Sequence, residues 1–265
     1  MSYETIEVKR EGGLAWLTLN RPDSLNAMNP ALVNELRDYF GGLPKDRETR
    51  VVVLRGAGRA FCAGLDLKDP GGSEFGTGAS ATLRGQRHIS ELPVLMRRAP
   101  QPIIACVQGA ASGGGFALAL ASDVRLAGES ARMNAAFIRI GLSACDVGVS
   151  YLLPRMVGSS IAAELMLTGR FIHAERAREL GLVSEVVPDD RLEATARALA
   201  EEMLATTPMG LRLTKECLQH SIDASSLEQA VAMEDRNQVL CVQTEDFREG
   251  VQAFLEKRAP SYSDR

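Results

Sequence analysis

The sequence predicts an α/β protein with an appended helical part. Short aliphatic and β-branched runs alternate with stretches of helical character up to about Ser159, and helices dominate after it. Two of the runs, Val51–Leu54 and Ile103–Val107, are unbroken, as strands buried on both faces require. With 265 residues the chain fits one large domain, divided as a core over 1–200 and a helical region over 201–265.

Taken in order, Thr5–Lys9 and Leu14–Leu19 alternate apolar and polar residues on either side of Gly12-Gly13 and read as two strands. Asn20-Arg21-Pro22-Asp23 breaks the pattern. A helix follows from Pro30, because Asn29 is a good N-cap and proline suits the first helical position. The buried strand Val51–Leu54 ends at Gly56-Ala57-Gly58. Residues 69–80 are rich in glycine and serine and read as a mobile loop, and 81–99 as a helix ending before Pro100. Ile103–Val107 is the next strand, Gly109–Gly115 a glycine-rich turn opening an apolar helix, and Asp123–Ala127 a strand. Helices are expected over 159–168, 174–180, 190–205, 208–220, 225–240 and 244–257, with a short strand at Val183–Val187.

A formal net charge of -4 and the lack of a Lys/Arg-rich run argue against a nucleic-acid partner. The N-terminus has no apolar run of signal-peptide type, and the longest apolar stretch is too short to span a bilayer, so a cytoplasmic protein with no membrane partner is expected. The five cysteines are scattered and read as reduced thiols. The three histidines lie far apart, so no metal site is expected.

The chemistry sits in two turns that follow buried strands, Arg59–Leu67 and Gly109–Phe116. In the second, three glycines precede an apolar helix. Bare N–H groups at a helix N-terminus form a site for developing negative charge, although glycines also serve tight strand-to-helix packing. No Lys-Ser/Thr follows, so the turn is not a P-loop.

Five ordered segments together resemble the enoyl-CoA hydratase/isomerase family, the crotonase superfamily. They are Asn20-Arg21-Pro22 with Leu25–Met28; Phe61–Leu67, similar to its A-G-x-D-[LI] loop; Gly109–Gly115, similar to its G-x-x-x-G-G-G turn; Thr168–Arg170 with Ala174, Ala177 and Gly181–Val183; and Thr244–Gly250 with Phe254–Arg258. The resemblance runs from about Ile6 to Tyr262. It implies a crotonase-like (ClpP/crotonase) spiral of ββα units with a helical C-terminal trimerisation region. It further implies that the backbone N–H groups of Leu65 and Gly114 form an oxyanion hole for a thioester oxygen. Ala63, Asp66 and Leu67 would hold the adenine end of coenzyme A, Ala27 would line the pantetheine path, and Lys257 would meet a CoA phosphate, in its own subunit or a neighbouring one. Coenzyme A enters as part of the substrate and no other cofactor is implied. The implied assembly is a homotrimer or a dimer of trimers.

One part of the family pattern is missing. Hydratases of this family use two glutamates. The first falls three residues after the oxyanion glycine, here Ala117; the second, aligned on Gly141, falls at Phe137. No Asp or Glu occurs from Gln101 to Ser122, nor from Ser130 to Cys145. Acid–base catalysis needs a titratable group within hydrogen-bond reach, and alanine and phenylalanine offer none. The next acid is Asp146, in a D-V-G context similar to that of a catalytic aspartate in dienoyl-CoA isomerases, although the same residue also suits a loop turn. His88, Cys62, Cys145, Asp69, Glu74, Arg97 and Arg98 are lesser candidates, for which ordinary surface or packing roles are the default. Three readings remain open: a hydratase- or isomerase-like enzyme working through a thioester enolate, another crotonase-fold chemistry such as dienoyl isomerisation, decarboxylation or thioester hydrolysis, and an acyl-CoA-binding protein without catalysis.

Overall fold

In the computed structural model, which describes residues 3–69 and 77–265, β1 (Ile6–Glu11) pairs antiparallel with β2 (Leu14–Leu19). β2 then pairs parallel with β3 (Val51–Gly56), β3 with β4 (Ile103–Val107), β4 with β6 (Val124–Gly128), and β6 with β9 (Glu185–Val187). A second, three-stranded sheet holds β5 (Ala110–Ser112), β7 (Arg132–Asn134) and β8 (Ile172–His173). Main-sheet strand, short second-sheet strand, then helix is the repeating unit: β4 and β5 lead into α3 (Gly114–Ala121). This is an α/β crotonase-type spiral.

The alternation within each strand divides the apolar residues between two cores. Leu17, Leu19, Val52, Leu54, Ile103 and Ala105 face the larger one, against α1 (Pro30–Gly42), α2 (Ala79–Arg98) and α3. Trp16, Val51, Val53, Ile104 and Cys106 face the smaller, against Leu192, Ala196 and Ala200 of α7 (Leu192–Leu204). β4 is therefore buried at every position, which accounts for its lack of polar residues. The start of α1 is as expected: the Asn29 side chain accepts from Leu32 N at 3.1 Å, with Pro30 first in the helix.

Several boundaries differ from those expected. The first strand runs Ile6–Glu11, and the strand expected at Val183–Val187 covers only Glu185–Val187. The glycine-rich turn contains β5, whose pairing with β7 is a long-range partnership invisible to local pattern. A helix not anticipated, α4 (Val149–Val157), precedes α5 (Ser159–Thr168) and contains Pro154. Of the loop expected to be mobile over 69–80, residues 70–76, including Glu74, lie outside the described residues. The remaining helices are α6 (Ala174–Glu179), α8 (Pro208–Ser221), α9 (Leu227–Val242) and α10 (Glu245–Glu256). Among the described residues, no helix is long and apolar enough to cross a membrane.

Candidate active site

The two glycine-bearing loops that follow β3 and β4 are laced together through their backbones. Phe61 N donates to Gln108 O at 2.8 Å, Cys62 N to Ala110 O at 3.0 Å, and Ser112 N to Cys62 O at 3.0 Å. Glycine is required at the contact. Gly64 has φ +97°, and a Cβ there would lie 2.7 Å from Ser112 O; one on Gly115 would lie 2.1 Å from Cys62 O.

Met28 sets the orientation of Leu65. Met28 N donates to Gly64 O at 2.7 Å and Asp66 N donates to Met28 O at 3.0 Å, forming a one-residue parallel bridge. In such a bridge the N–H of the central residue points away from its partner strand, and the neighbouring Gly64 packs on Ser112 and Gly113. Gly114 is the first residue of α3, so its N–H has no partner within the helix. The Met28 sulfur also lies against Gly114, where an added Cβ would meet it at 2.8 Å. The N–H groups of Leu65 and Gly114 thus come from two loops laced together, and neither donates to an acceptor among the described residues.

The first signature braces this arrangement. Arg21 donates to Asp66 Oδ2 at 3.0 Å and to the Ala27 carbonyl. Burial works against the charged Asp66, but the Arg21 guanidinium and the Lys68 and Asp69 N–H groups outweigh it and hold the carboxyl below its usual value of 3.8. Asn26, fully buried, accepts from Arg21 N at 2.9 Å and donates to Ala57 O and Ala60 O at 2.9 and 2.8 Å. Arg21 and Asn26 were visible as motif letters; their role as braces follows from contacts with a loop more than thirty residues away.

The two positions of the expected glutamates are apolar and buried. Ala117 lies one turn into α3, and its N–H donates to Gly113 O. The Phe137 ring packs on Gly113, where an added Cβ would meet Cε1 at 3.4 Å. Asp146 follows the same stretch, between the buried Ala144 and Val147, which belong to one apolar cluster with Ala117 and Phe137. Val147 has φ 39°, an uncommon conformation for a β-branched residue, and its buried side chain helps to hold it there. Asp146 Oδ1 accepts from Val147 N at 2.8 Å and from the Gln86 amide of α2 at 2.5 Å. Oδ2 accepts no hydrogen bond among the described residues. Nothing in the sequence pairs Gln86 with Asp146, sixty positions apart.

The other expected site residues divide. Ala27, Ala63, Asp66 and Leu67 lie together around the 60–67 loop; Ala63 N donates to Leu25 O at 3.0 Å, and Leu67 is 64% exposed. Lys257 caps α10 with φ 55°, and α10 packs on α9. Cys62 is fully buried, and burial pushes its thiol up to about 12, so it is inert. Arg97 faces Asp123 at 3.8 Å, and the His88 ring meets Asn34 at 2.5 Å. Among the described residues, no group of three or more His, Cys, Asp or Glu side chains is placed to hold a metal ion.

The comparisons agree with this architecture. A family model described as enoyl-CoA hydratase/isomerase matches residues 9–265. The protein named probable enoyl-CoA hydratase EchA12 of Mycobacterium tuberculosis is 42% identical over 255 residues, covering 95% of this chain and 90% of that one. The 1,2-epoxyphenylacetyl-CoA isomerase of Escherichia coli is 36% identical, covering 96% and 97%. Among solved structures, an enoyl-CoA hydratase from Bacillus anthracis superposes with a TM-score of 0.92 at 36% identity, covering 99% of this chain and 100% of that one. A monofunctional enoyl-CoA isomerase from M. smegmatis gives 0.73 at 40% identity, covering 86% and 98%. The chain belongs to the enoyl-CoA hydratase/isomerase family.

Proposed function

We propose that this family member moves a double bond in an unsaturated acyl-CoA and does not add water to it. The carrying observation is the combination of two N–H groups without acceptors among the described residues, at Leu65 and Gly114, with apolar, buried residues at both positions expected to hold glutamate. Removing a proton along the conjugated chain of a thioester puts charge on the carbonyl oxygen. Two fixed donors stabilise that charge as it develops, each worth about 3 kcal/mol in a dry site. Hydration requires one group to activate water and another to protonate carbon. A double-bond shift requires only that one base take a proton from one carbon and return it to another. Asp146 supplies that base: Oδ1 is held by two donors and Oδ2 is left to meet the substrate. The similarity to a solved structure described as a monofunctional enoyl-CoA isomerase supports this reading.

In this scheme the backbone at Ala63, Asp66 and Leu67 receives the adenine end of coenzyme A, and Ala27 lines the path of the pantetheine arm. Lys257 meets a CoA phosphate from a neighbouring chain. The exposure of Leu218, Leu227, Phe254 and Leu255 on α8–α10, at 68–82%, supports a neighbouring chain against these helices. A trimer covers these faces.

The test offers crotonyl-CoA, a 3-enoyl-CoA and a dienoyl-CoA to the full chain and to Asp146→Asn, following absorbance and product mass. The expected outcome is bond migration at constant mass, reduced about 10²–10⁴-fold in the variant. A product heavier by one water, or a fully active variant, overturns the proposal. Tight binding without turnover of any of the three substrates supports the non-catalytic reading instead.

A further inference from the structure

We infer that Gln86 is a positioning residue, fixing which oxygen of Asp146 faces the substrate. This rests on the reading of Asp146 as the base. An ionised carboxylate only accepts hydrogen bonds, so the Gln86 amide must present its Nε2 to Oδ1, at 2.5 Å. With Val147 N on the same oxygen at 2.8 Å, Oδ1 is occupied from two directions and the carboxylate plane is set.

Gln86 can do this because α2 is itself held in place. Arg37 of α1 donates to His88 O at 2.8 Å and pairs with Glu91, and the His88 ring meets Asn34 at 2.5 Å. Both tethers lie within about one and a half turns of Gln86 on α2. The turn carrying Asp146 also packs on this helix: an added Cβ at Gly148 would meet Pro93 of α2 at 3.8 Å. Asp146 is thus gripped between its own strained turn, with Val147 at φ 39° and Gly148 at φ 84°, and an amide on an anchored helix. A base on a loop gains its geometry from such support.

The test replaces the donor without removing side-chain bulk. Gln86 is exposed, so Gln86→Met folds normally. With a 3-enoyl-CoA at saturation, kcat is expected to fall about ten-fold while KM stays within two-fold, the loss of one hydrogen bond to a charged group. Gln86→Lys restores a donor and is expected to recover most of the lost kcat. An unchanged kcat in Gln86→Met, or a loss carried by KM alone, overturns the inference. Asp146→Asn separates the two levels. If that variant keeps full activity, the base assignment itself fails. If it is inactive while Gln86→Met turns over normally, only the role of Gln86 fails.

Discussion

At the scale of single residues, the site depends on a few side chains that hold backbone in place. Arg21 and Asp66 join the first signature to the 60–67 loop, and their pairing makes a pH-dependent prediction. Asp66 titrates below 3.8 in the folded protein, so the unfolded chain takes up its proton first as pH falls. The stabilisation is complete above about 3.8 and is lost as pH drops from there toward the folded value. Arg21→Gln removes the main partner and leaves the burial that opposes ionisation. Its denaturant midpoint is expected to fall below that of the parent at neutral pH, with the gap narrowing at more acidic pH. A gap of constant size from neutral pH to below 3.8 would show that the ion pair does not carry the effect.

At the scale of elements, the two loops work only because their backbones touch. Gly115→Ala places a methyl group 2.1 Å from Cys62 O by ideal geometry, and that carbonyl already accepts from Ser112 N. The expected cost is about 1–3 kcal/mol or more, with loss of turnover, read by thermal melting and by assay. A variant as stable and active as the parent would mean that the loops have room to part. The same contact explains what was legible from sequence. Leu65 and Gly114 were singled out by the resemblance of their loops to the family's motifs, which mark a backbone feature. The main-sheet strands β3 and β4 were legible from apolar runs that two cores demand, whereas β2, expected to alternate, is buried at every position because it too lies between both cores. The short strands β5, β7 and β8 were not, since a two- or three-residue strand has too little pattern to register and exists through its partners. α4 was missed because Gly148 and Pro154 punctuate a nine-residue helix. Gln86 carried no signal, its meaning lying in a contact sixty positions away.

At the scale of the whole molecule, a single chain leaves part of the proposed function unfinished. Lys257 stands at the end of α10, beside the exposed Phe254 and Leu255, so association through this helix would bring it against another chain. Sedimentation of the parent is expected to give three chains or a multiple of three. Phe254→Glu, at a position 82% exposed in the single chain, is expected to shift the distribution toward monomer and weaken CoA binding while far-UV circular dichroism is retained. A parent that sediments as a monomer and binds CoA tightly would rule out a contribution of Lys257 from a neighbour.

The central claim is that two backbone donors and one carboxylate shift a double bond in a site without the second acid that hydration needs. Incubation of a 3-enoyl-CoA with the protein in ¹⁸O-labelled water tests it most directly. The predicted product is the conjugated 2-enoyl-CoA with no ¹⁸O in its acyl chain. A labelled hydroxyacyl-CoA formed at a comparable rate would contradict it.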